Sequence, residues 1–73
     1  MKLGKYTHFK GKTVEVIGVG LNSESLEEVV IYKKLDDSGR LKKGSLWVRP
    51  KKMFLERVLI EGKKVPRFKY VRH

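Results

Sequence analysis

The chain predicts a mainly β fold: one small antiparallel barrel of five or so short strands, with a single short helical or 3₁₀ turn after Pro50. Three observations carry that expectation. Short stretches rich in β-branched and aromatic residues recur along the 73 residues, glycine- and proline-centred turn signals separate them, and Pro50 stops the most regularly alternating stretch. A chain of this length buries only about 60% of the surface its unfolded form exposes, so residues 1–73 make one domain with one small core.

Val14-Glu15-Val16-Ile17-Gly18-Val19-Gly20 reads as a strand whose alternation slips between Val16 and Ile17. The slip, followed by two glycines, predicts a bulged or sharply bent strand. Leu21 to Glu28 is polar; a helical turn capped through Ser25 and Glu28 competes with a loop there, and we take it as a loop. Val29-Val30-Ile31-Tyr32 is apolar on both faces, the pattern of a central strand, and it runs out at Leu35. Asp36-Asp37-Ser38-Gly39 is turn chemistry, which Arg40-Leu41-Lys42-Lys43-Gly44 lengthens into a mobile basic loop. Ser45 to Arg49 alternates with period two, setting Leu46 and Val48 on one side and Trp47 and Arg49 on the other. Pro50 ends that ladder, and its fixed φ suits the start of a single turn closing on Met53-Phe54. Arg57 to Glu61 alternates and reaches Gly62, Glu61-Gly62-Lys63-Lys64 is a hairpin turn, and Arg67 to Val71 is the last extended piece. An SH3-like barrel fits this succession of short strands.

Charge is polarised along the chain. Residues 1–14 hold four lysines and no acid, residues 15–37 six acids against two lysines, and residues 38–73 twelve Lys and Arg against two acids; the formal net charge is +10. A basic surface interleaved with aromatic rings is the composition that binds phosphate backbones and stacks bases, so a polyanion is the expected partner. Cysteine is absent and histidine occurs only at positions 8 and 73, so no disulfide, metal or cofactor is expected. No apolar run is long enough for a signal peptide or membrane span, which makes the cytoplasm the expected address. Gly18-Val19-Gly20 lacks the third glycine and the long following helix of a phosphate loop, so a nucleotide-dependent enzyme is not expected.

Trp47 and Arg49 share a strand face, and a guanidinium beside an indole is a platform for a base or a phosphate. In a barrel this small the single tryptophan also fits the centre of the core, with Arg49 at its rim. Lys51 and Lys52 follow the proline turn, where unpaired N–H groups favour an anion, in the company of Lys42, Lys43, Lys63, Lys64, Arg67 and Lys69. Phe68 and Tyr70 share the face opposite Arg67 and Lys69, with Phe68 expected in the core and Tyr70 exposed for stacking. His8 is expected to be structural, hydrogen-bonded to Glu56 or Glu24. A hydrolytic site with Ser23 or Glu24 would need a nucleophile, base and orienting acid that the spacing does not supply. The acidic stretch Glu24 to Glu28 would repel nucleic acid from one side and so orient the basic side toward it.

Gly4-Lys5-Tyr6, His8-Phe9-Lys10-Gly11, Ser23-Glu24 with Glu27, the strand through Tyr32, Trp47-Val48-Arg49-Pro50, Met53-Phe54, Glu56 and Gly62 through Val65-Pro66-Arg67-Phe68 form an ordered set. On these residues, over about positions 4–68, the chain resembles a family of small bacterial proteins known as domain of unknown function family 1653. The resemblance implies a compact β-domain and no particular activity. Val14 stands where the family pattern has an aromatic, and Asn22 where it has a histidine. The loop Arg40–Lys43 and the pairs Lys51-Lys52 and Lys63-Lys64 are richer in charge than that pattern.

The expected function is therefore non-enzymatic binding of nucleic acid, RNA favoured over DNA, with weak sequence selectivity and contacts mainly from the basic C-terminal half. The alternative is a protein-interaction module that holds an acidic protein or peptide in an aromatic-lined groove or at a strand edge, with Tyr6, Tyr32 and Trp47 as anchors.

Overall fold

The computed structural model of the chain describes residues 1–35 and 43–71. Its elements are β1 (Gly4–His8), β2 (Thr13–Leu21), β3 (Glu28–Lys34), β4 (Leu46–Pro50), α1 (Lys51–Phe54), β5 (Arg57–Ile60), β6 (Lys63–Pro66) and β7 (Phe68–Tyr70). The protein is mainly β, and every described pairing is antiparallel. Five strands form one sheet in the order β4-β3-β2-β1-β7, and β5 pairs with β6 in a separate hairpin. Of the basic loop expected through Gly44, residues 36–42, Lys42 included, lie outside the described residues.

The expected closed barrel is not formed. Among the described residues β4 and β7 end the sheet, and no ladder joins them. The chain between these two edges goes into α1 and into a hairpin that pairs with itself, and β7 has only three residues, already paired with β1. Side chains span the gap instead: the Arg49 guanidinium of β4 lies 5.8 Å from the Phe68 ring centre of β7.

Local chemistry explains the individual turns. The register of β2 against β3 shifts between Val16 and Gly18, so Ile17 is the bulged residue. Beyond it Val19, rather than Gly18, faces the fully buried Val30. The segment after β2 is a loop, as expected, organised by Asn22: its Oδ1 accepts N–H bonds from Glu24 at 2.8 Å and Ser25 at 3.2 Å. Glu61 and Gly62 turn the β5–β6 hairpin with φ of 49° and 79°, the paired positive values of a two-residue turn whose twist matches its strands. Pro50, at φ −52°, leads into α1, and the Leu55 N–H closes that turn on the Lys51 carbonyl at 3.0 Å.

Aromatic rings fill the core. Tyr6, Val14, Val16, Val30, Tyr32, Phe54 and Phe68 are buried together, with Trp47 and Tyr70 packed against them. Phe54 is 0% exposed; it stacks on Phe68 at 4.2 Å and 2° and meets Tyr6 edge-on at 5.4 Å. The centre of the core is thus Phe54, delivered by the turn after Pro50, and not the tryptophan. Trp47 is half-buried, its Nε1–H donating to Ser45 Oγ at 2.9 Å. Tyr70, expected to be exposed, is also half-buried, because its ring packs against Tyr6 at 5.3 Å.

Candidate cationic and aromatic pocket

Strand alternation and register assemble a cavity on the core-facing side of the sheet. Tyr32 and Lys34 lie two residues apart on β3 and therefore share a face; β4 places Trp47 opposite Tyr32, and β2 places Val14 opposite Lys34. At the end of β1, His8 pairs with Phe68 of β7. The β1–β2 turn, closed by the Gly11 N–H on the His8 carbonyl at 2.8 Å, brings Lys10 and Lys12 to the same end. The cavity encloses about 270 Å³. Val14, Tyr32, Trp47 and Phe68 give it apolar and aromatic walls, and Lys10, Lys12, Lys34, Arg49 and His8 supply basic groups; among the described residues no carboxylate lines it.

The charged side chains among the described lining residues are all basic. Lys34 is only 9% exposed, so its ammonium group acts through a medium that screens less than bulk water. Partial burial holds the His8 imidazole below its usual value, and the nearby charges of Arg67, Arg49 and Lys10 push it the same way. The direction of that shift favours the uncharged ring at neutral pH. Its Nδ1 accepts the Lys10 N–H at 3.1 Å, which leaves the proton on Nε2 as a donor. The ring lies 4.4 Å from Phe9 and 4.9 Å from Phe68. Neither expected carboxylate partner reaches His8: Glu56 accepts from the Arg67 guanidinium at 2.7 Å, and Glu24 accepts from Ser23 Oγ at 3.1 Å.

Of the residues the sequence nominates, Trp47 and Arg49 line this cavity. The others are dispersed. Lys51 pairs with Glu28 at 3.2 Å and Lys52 with Glu27 at 3.6 Å, so the acidic loop stands beside these lysines rather than away from them. Lys63 and Lys64 are exposed on the β5–β6 hairpin, Lys69 on β7, and Lys43 in the turn before β4. Arg67 pins the last connection: besides its side-chain bond, its N–H donates to the Glu56 carbonyl at 2.9 Å. Tyr70 carries the Lys2 ammonium group 5.3 Å from its ring centre. Tyr6 and Tyr32, the expected peptide anchors of the alternative reading, are buried in the core. His8, Lys10, Lys12 and Lys34 are cavity residues that sequence reasoning missed, although two signals pointed to them: an acid-free N-terminal segment, and Lys34 two residues after Tyr32 on one strand face.

A small antiparallel β-domain whose single helical turn plugs the core, with a basic cavity at one end of its sheet, is the class these features define. The chain belongs to the family described as protein of unknown function DUF1653, whose pattern matches residues 4–70. It is similar to a DUF1653 protein from Bordetella bronchiseptica seen in a crystal structure, at 30% identity and a TM-score of 0.86, over 100% of this chain and 90% of that one. No curated protein matches it. The residues that carry the resemblance divide between two tasks: His8, Lys10, Tyr32, Trp47, Arg49 and Phe68 line the cavity, while Phe54, Glu56 and Arg67 hold the core and the last connection.

Proposed function

We propose that this domain is a non-enzymatic nucleic-acid-binding module, RNA favoured over DNA, with the cationic and aromatic pocket as the centre of its site and the exposed lysines of the C-terminal half as flanking phosphate contacts. One observation carries this reading: four Lys and Arg side chains and a histidine converge around Trp47 in a single cavity. The strand order supports an SH3-like plan, since the last strand pairs with the first and a helical turn follows the fourth. We assign the domain to the cytoplasm; among the described residues no helix is long and apolar enough to cross a membrane.

Fluorescence anisotropy with a short single-stranded RNA, a DNA duplex and an acidic peptide at several salt concentrations tests the proposal. If six cations meet phosphates, affinity falls with about the fifth to sixth power of salt for the duplex and about the fourth for the single strand. Nucleic acids that fail to bind even at low salt would sink it. A second function has its own support: β4 is a sheet edge, with Leu46 63% and Val48 61% exposed, and could accept an added peptide strand. Peptide binding with little salt dependence, alongside silent oligonucleotides, favours that alternative.

A further inference from the structure

We propose that the cavity holds one nucleoside monophosphate unit, its base against Trp47 and its phosphate among Lys10, Lys12 and Lys34. This deepens the nucleic-acid reading and rests on it. Size is the first argument. At about 270 Å³ the cavity falls just under the range of about 300–1,000 Å³ typical of small-molecule sites, enough for one base and its phosphate. A base inside a duplex is covered on both faces by its neighbours, so only an unpaired nucleotide can offer a face to an indole.

The division of the cavity into two chemical ends is the second argument. Lys10 and Lys12 belong to the β1–β2 turn, and Lys34 ends β3 opposite Val14, so three ammonium groups gather where β1, β2 and β3 meet. Trp47 and Tyr32 face each other across β3 and β4, with Phe68 on the far wall. The indole is held in place through its Nε1–H bond to Ser45 Oγ, a preorganisation that lowers the ordering cost of stacking. Arg49 is likewise held over Phe68. The neutral His8 adds an Nε2–H donor among these cations, which suits a phosphate oxygen.

Trp47 is the single tryptophan of the chain, so its emission reports directly on the cavity. The test follows that emission, and in parallel the anisotropy of labelled RNA, on adding adenosine monophosphate, a six-nucleotide single-stranded RNA, the same RNA as a duplex, and inorganic phosphate. Expected are quenching by the single strand, competition by the free nucleotide, and weaker binding of the duplex with no change in emission. Lys10→Gln with Lys12→Gln, both on the exposed turn, should weaken single-strand binding about fivefold at 0.1 M salt if together they neutralise the one phosphate. Lys63→Gln with Lys64→Gln, which removes flanking contacts only, should weaken binding of the strand but not quenching by adenosine monophosphate. A pocket variant that does not fold is recognised by its lost thermal transition; Lys12→Gln alone, expected to weaken binding in the same direction by less than the pair, then carries the test. Equal binding of single strand and duplex, with constant emission and no effect of the turn lysines, overturns the pocket assignment while the nucleic-acid function stands. Quenching by the free nucleotide with no binding of the strand supports the pocket chemistry and removes the nucleic-acid function. Silence from all four probes overturns both.

Discussion

At α1, Lys51 reaches Glu28 at 3.2 Å and Lys52 reaches Glu27 at 3.6 Å, whereas the cavity gathers Lys10, Lys12, Lys34 and Arg49 with no carboxylate among its described lining residues. Both regions contribute to a formal charge of +10, yet they differ in how their charges are arranged. Exposed ion pairs of the α1 kind add little stability, about 0–1 kcal/mol each, but each pair cancels much of its own field. The cavity instead brings several basic side chains to one concave space. Net charge counts both regions alike and so cannot distinguish dispersed ion pairs from convergent cations.

The two regions share one support, and removing it tests whether they stand or fall together. Phe54 rises from α1 and stacks on Phe68, a wall of the cavity. Phe54→Ala should cost about 3–5 kcal/mol of stability, read from urea unfolding, with the response of Trp47 lost in the same transition. A cavity that survives with α1 detached would separate the regions. Converting one kind of region into the other is the sharper test. Glu27→Gln with Glu28→Gln releases Lys51 and Lys52 from these ion pairs, and should raise RNA affinity up to about fivefold for each further phosphate neutralised at 0.1 M salt. Lys51→Gln with Lys52→Gln in the natural background should change affinity less than about twofold, because those charges are already engaged. A large loss in that variant would show α1 to be part of the site.

The smallest expected effect concerns pH. The folded-state pKa of His8 is depressed, so as pH falls below about 6.5 the unfolded chain takes up the proton first and stability declines toward the depressed folded value; above that window His8 contributes no pH dependence. His8→Gln should flatten the fall in urea midpoint between about pH 7.5 and 5.5. A bound phosphate opposes the positive charge that the ring meets from Arg67, Arg49 and Lys10, and should raise the His8 pKa. NMR titration of the His8 ring with and without adenosine monophosphate measures that change directly; an unmoved midpoint removes His8 from the ligand's surroundings.

Much of the backbone is legible in the sequence because its causes are local. A slipped alternation at Val16-Ile17 marks the bulge, Glu61-Gly62 marks a hairpin, and Pro50 marks the single turn of α1. The family resemblance rests on residues that the fold uses as core and cavity. Period two also places Trp47 and Arg49 together on one face of β4. The rest depends on distances that no local pattern encodes. Lys51 and Glu28 are 23 positions apart, and only the folding of α1 against β3 and the loop before it makes them partners. Lys34 is buried opposite Val14, and the Gly44 N–H meets its carbonyl at 2.8 Å, neither of which a local pattern encodes. Strand number alone predicts closure of the sheet, but it says nothing of how many residues α1 and the β5–β6 hairpin divert.

The unladdered seam between β4 and β7 has a kinetic consequence. Along it, backbone amides of the two edges have no strand opposite among the described residues, so hydrogen exchange there should outpace that of β2, which is paired on both sides. Widening the seam breaks ring and guanidinium contacts such as that of Arg49 with Phe68, and no ladder bond. Trp47 and Arg49 stand on one bank and Phe68 on the other, so faster exchange along the seam with β1, β2 and β3 still protected is the pattern expected.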